Sequence, residues 1–137
     1  MTFEEIDKQL PNGFHDAKIR KINADLLNCS IRIEMDIHVG VPEDEDRERY
    51  QTGVLKVTSS YLFFIEPPDS RYRFMPNGSA FNVDGDSVKL GQSPDVDRLL
   101  PVLPQGYTAY RFFLEEWNSF LYLAGASVEF LWDDATG

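Results

Sequence analysis

From Cys29 to Val39 the chain alternates without a break. Cys29, Ile31, Ile33, Met35, Ile37 and Val39 are apolar, and Ser30, Arg32, Glu34, Asp36 and His38 stand between them. A period of two sustained over residues 29–39 marks a strand with one buried and one wet face. This places Cys29 at the start of a buried row, as a small hydrophobe rather than a nucleophile. A single half-buried strand is not stable alone, so the remaining sequence must supply further strands.

Residues 17–22 predict its hairpin partner, turning through Asn23-Ala24-Asp25. Residues 53–66 predict a second long strand. Leu55, Val57, Tyr61, Phe63 and Ile65 share one face; Val54, Leu62 and Phe64 on the other suggest partial cover there. Tyr61, Phe63 and Phe64 read as core, and Pro67-Pro68-Asp69-Ser70 ends the strand. Shorter strands are expected at 72–75, 80–83 and 87–90, with turns at Asn77-Gly78 and Asp84-Gly85. The last third reads as a meander over 107–115, 120–124 and 126–132, turning near Glu116-Trp117-Asn118 and at Gly125.

Two helices interrupt the strands. Thr2 and Glu5 form a capping box ahead of Phe3, Ile6 and Leu10, and Pro11-Asn12-Gly13 stops that helix. Ser93-Pro94-Asp95 opens a second short helix near 94–100, with Ser as cap and Pro at the first helical position, ending before Pro101. The pattern predicts a mainly β, α+β fold of seven or eight strands. Its antiparallel sheet folds on itself as a sandwich or partly open barrel, with the N-terminal helix as a short lid. No repeat or linker divides residues 1–137, so a single domain is expected.

The 137 residues carry a formal net charge of -10, which repels phosphate backbones and anionic lipid. The expectation is no nucleic-acid or membrane partner, and solubility or a basic protein partner instead. One cysteine excludes an intrachain disulfide and fits a reducing compartment. The amino terminus lacks a basic start and apolar stretch, so the expected location is cytoplasmic.

The candidate site begins at His15-Asp16. Imidazole is the side chain most easily poised near neutral pH, and an aspartate can orient it. Asp16 can equally bond local backbone after the turn. His38 lies on the wet face of the long strand, where a hairpin can bring it towards His15 to form a metal set with one carboxylate. Asp84-Gly85-Asp86 fails as a calcium loop, because Ala80 and Gly91 occupy the first and last ligand positions. Trp117 and Asn118, beside Glu115, fall at a turn where tryptophan either anchors a partner or closes one end of the core. Glu43, Asp44, Glu45 and Asp46 form an acidic loop that suits a cationic partner, or simply solvation. Hydrolase, kinase and dinucleotide-binding signatures are absent, which speaks against an enzyme, and no cofactor is expected.

Phe14-His15-Asp16-Ala17, the following Ile-x-Ile strand, Glu66-Pro67-Pro68 and the aromatic strands around Trp117-Asn118 together resemble a group of small bacterial proteins. Some of these are grouped with the immunity proteins of polymorphic toxin systems. The resemblance implies a cytosolic inhibitor that binds a cognate toxin without catalysis or cofactor. His15, Asp16 and Ala17 carry the recurrent motif. The residues themselves leave two alternatives open: a small-molecule- or metal-binding β-domain with its site near His15, Asp16 and His38, or an oligomerising module that uses Phe64 or Leu62.

Overall fold

A computed structural model describes residues 1–41, 43, 49–71 and 80–133. The alternating segment forms strand β2, Ser30–His38, and its apolar row of Ile31, Ile33, Met35 and Ile37 is buried. It pairs on one edge with β1, Ala17–Asp25, and on the other with β3, Tyr50–Ile65. Strands β4 (Phe81–Ser87), β5 (Thr108–Leu114) and β6 (Ser119–Trp132) complete the sheet. Every neighbour is antiparallel in the order β1-β2-β3-β6-β5-β4, and Ala17 to Ile19 of β1 pair with Val83 to Phe81 of β4. That last pairing closes the sheet into a barrel, where the sequence suggests a sandwich or a partly open barrel. Closure leaves none of the six described strands as an open sheet edge.

Six strands are formed among the described residues, and three predicted turns are strand interiors: Asn23-Ala24-Asp25 is the paired end of β1, while Asp84-Gly85 and Gly125 each join two expected strands into one. Strand β4 runs straight through Asp84-Gly85, and Gly85 pairs with Phe112. A Cβ at Gly85 would lie 2.6 Å from the Tyr110 ring and 2.9 Å from Phe14 Cβ, so this glycine serves close approach rather than reversal. Strand β6 likewise continues through Gly125, which pairs with both Ser60 and Thr108. A Cβ there would meet Val57 Cγ1 at 2.5 Å and the Thr58 carbonyl at 2.9 Å. The strand expected at 72–75 and the Asn77-Gly78 turn lie outside the described residues.

Two bulges set which side chains face inward. A register shift between Ile19 and Lys21 lets Ile22 pack on the same core as Ile19. A second shift, between Ser60 and Leu62, accompanies a left-handed Ser59 with φ 51°. Beyond it β3 has left β2 behind and pairs with β6 alone. Tyr61, Phe63 and Phe64 are consequently 48%, 39% and 37% exposed, which overturns their reading as core.

Helix α1, Phe3–Gln9, forms as the capping box predicts: Thr2 Oγ1 accepts the Glu5 amide, and Thr2 Oγ1–H reaches Glu5 Oε1. Phe3, Ile6 and Leu10 join the barrel core, and Phe3 stacks on Tyr110 at 5.2 Å. Helix α2, Pro94–Leu99, is capped by Ser93 Oγ and buries Val96. Among the described residues no helix is long and apolar enough to cross a membrane.

Candidate functional site

The loop joining α1 to β1 is held on its inner side by three consecutive residues. Asn12 donates its side-chain amide to the carbonyls of His38 and Gly40. Gly13 adopts φ 59° close to Asp7, whose carboxylate accepts the Phe14 amide at 2.8 Å. Phe14 then enters the core fully buried, edge-on to Phe112 at 5.1 Å. With Phe14 committed inward, the next two side chains are delivered to the surface. Asp16 takes φ 55°, a conformation that aspartate tolerates better than most side chains.

Asp84 of β4 organises the two exposed side chains. Its Oδ1 lies 2.8 Å from His15 Nδ1 and accepts the Asp16 amide at 3.1 Å. The other ring nitrogen of His15 faces Asp16 Oδ2 at 3.3 Å. One imidazole thus bridges two carboxylates, one local and one brought by the β1–β4 pairing that closes the barrel. Ligand atoms of His15, Asp16 and Asp84 lie within 4.8 Å of one another, close enough to converge on a single cation.

Glu115 adds to the same negative field. Burial first, and then the carboxylates of Asp84, Glu116 and Asp16, push its carboxyl above the ordinary glutamate range. Glu116 is engaged otherwise: it accepts the backbone and side-chain amides of Asn82. Among the described residues, no Lys or Arg forms an ion pair with Asp16, Asp84 or Glu115.

The predicted Glu116-Trp117-Asn118 turn is present, and it faces the end of the barrel. Trp117 packs edge-on to Phe81 at 5.1 Å against the core. Asn118, at φ 48°, donates to Asp69 Oδ2 at 3.0 Å, and the Asp69 amide donates to the Trp117 carbonyl. The Glu66-Pro67-Pro68 segment and the Trp117-Asn118 turn are thereby tied together. Arg71 also grips Asp69, and these bonds hold its carboxyl far below the usual range.

His38 does not join His15. Its ring sits 5.4 Å from that of Tyr50, and it is not part of the ligand-atom group above. Asp84 takes the place that the two-histidine expectation gave to His38. Nothing local announces this, because Asp84 stands 69 residues from His15 and its glycine neighbour imitates a turn. Cys29 is exposed with φ 49°, outside the buried row it was expected to begin. Of the acidic loop, Glu43 is exposed, and Asp44, Glu45 and Asp46 lie outside the described residues.

Compared with known proteins, the chain matches no family model, no curated protein and no solved structure.

Proposed function

We propose that the protein is a non-catalytic binding barrel whose acidic end receives a basic protein partner. The convergence of Asp16 and Asp84 on His15, with Glu115 in the field of the same carboxylates and no Lys or Arg countercharge among the described residues, carries this reading. Carboxylates without a Lys or Arg partner on a closed barrel favour an incoming cation and accelerate its encounter. The run Glu43 to Asp46 adds negative charge to the same molecule. The resemblance to immunity proteins supports a bacterial toxin, met in the cytoplasm, as that partner.

The second reading is a divalent cation held by His15, Asp16 and Asp84, and it rests on the spacing of their ligand atoms. One set of variants separates the two. The wild type, Asp84→Asn and Glu115→Gln are used to capture a partner from the native cells, and affinity for that partner is measured at two salt concentrations. The protein-binding reading expects each variant to bind about tenfold more weakly and the wild type to weaken with salt. Unchanged affinity in both variants, with no salt response, would falsify it. Stoichiometric zinc binding in calorimetry, lost in Asp84→Asn but kept in Glu115→Gln, would support the metal reading instead.

A further inference from the structure

Among the described residues, the most exposed apolar side chains stand at the opposite end of β1 from the acidic site. Leu26 and Leu27, in the turn between β1 and β2, are 86% and 97% exposed. This turn is built rather than slack. The Asp25 carboxylate accepts the amides of Leu27 and Asn28 and the side-chain amide of Asn28. The Ser60 amide donates to the Cys29 carbonyl at 2.7 Å, fastening the turn to the β3 bulge. Two leucines thus stand in water on a hydrogen-bonded frame, so the backbone entropy of ordering the turn has already been lost on folding.

Beside the leucines lie two apolar hollows. A cleft of about 100 Å³ is lined by Ala24, Leu26, Cys29, Ile31 and Phe63 among others. A groove of about 350 Å³ runs between Phe63, Phe64 and Tyr122 of the barrel and Val96 and Leu99 of α2. Phe63 borders both. Knob and hollow therefore belong to one patch, which is the geometric condition for a two-fold contact between identical surfaces.

We infer that this patch joins two copies of the chain, each inserting Leu27 into the hollows of the other. Covering Leu26, Leu27, Tyr61, Phe63 and Phe64 in both copies removes on the order of 1,000 Å² from water. That lies at the lower limit for a specific interface and corresponds to a weak, reversible dimer. Local charge does not oppose it. Asp25 turns its carboxylate back onto its own loop, and the groove carries one Asp95 and one Arg98. The net charge of -10 on each copy does oppose it from a distance, so added salt strengthens the dimer. This is the reverse of the salt response expected at the acidic end.

Sedimentation of the full chain, from roughly 5 to 500 µM and at low and high salt, tests the inference. The expected result is a dimer that grows with concentration and with salt. Leu27→Asp should weaken it by roughly 30-fold or more, with the circular dichroism spectrum unchanged. Leu131→Asp, at an exposed position outside the patch, should leave it intact. A short bismaleimide should link the two copies through Cys29 in the wild type and not in Leu27→Asp. A single monomeric species throughout would overturn the inference. So would a dimer that survives Leu27→Asp or is not linked through Cys29, because the contact would then lie elsewhere.

Discussion

The two turns that bracket β1 are made by similar means to opposite ends. Each contains a non-glycine residue in the left-handed region, Asp16 before the strand and Cys29 after it. Each is held by aspartate accepting turn amides, Asp7 and Asp84 at the first and Asp25 at the second. The first turn sends Phe14 into the core and leaves His15 and Asp16 outside. The second sends neither leucine inward and presents both to water. Strain at a turn, then, does not by itself mark a chemical site. The side chains it presents decide its chemistry: an imidazole between carboxylates at one end, and exposed leucines roughly 25–30 Å away at the other.

The contrast breaks most sharply at the first turn. Phe14→Ala empties a core position between Phe112 and Tyr110 and should cost about 3–5 kcal/mol in urea unfolding. A loss below about 1 kcal/mol would mean that the loop is not anchored by this ring and that His15 and Asp16 are not positioned by it.

The next effect is local. Asp25→Ala removes the acceptor of the Leu27 and Asn28 amides, so their hydrogen exchange should quicken several-fold while the barrel strands keep their protection. The bonds from Asn28 and Leu27 hold the Asp25 carboxyl below its ordinary range. Because its folded value is depressed, the order it contributes is present at neutral pH and fades as pH falls through that lowered value. A protection factor at Leu27 that does not fall in acid would show the turn to be held by something else.

The smallest effect belongs to Glu115. Its carboxyl is raised in the folded protein, so ionising it opposes folding as pH rises from the ordinary glutamate value through the raised one. Glu115→Gln should therefore stabilise slightly at neutral pH and not at all in acid. After allowance for solvent screening the gain is a few tenths of a kcal/mol and shrinks with salt. Thermal melts of both proteins at two pH values read this directly. A variant less stable at neutral pH would mean that Glu115 has a stabilising partner rather than an excess of like charge.

How much of this was legible beforehand differed by element. The caps at Thr2 and Ser93 are short-range hydrogen bonds between residues three apart, and both helices stand where those caps place them. The β2 row is equally local, since alternation alone selects its buried face. Asp84-Gly85 and Gly125 were misread for one reason. Glycine relieves steric pressure whether the pressure comes from a turn or from a neighbouring strand, and only the neighbour's position tells the two apart. Tyr61, Phe63 and Phe64 were misread because a single inserted residue at the β3 bulge ends the simple alternation and takes the strand beyond its cover.

The sequence by itself determined the mainly antiparallel β character, the two capped helices and the acidic charge. These follow from periodicity, capping and composition, which act over a few residues or over the whole chain. Barrel closure, the approach of Asp84 to His15 and the display of Leu26 and Leu27 were decided only in the tertiary structure. Each depends on strand register, and register is set by bulges and packing between segments far apart in the chain.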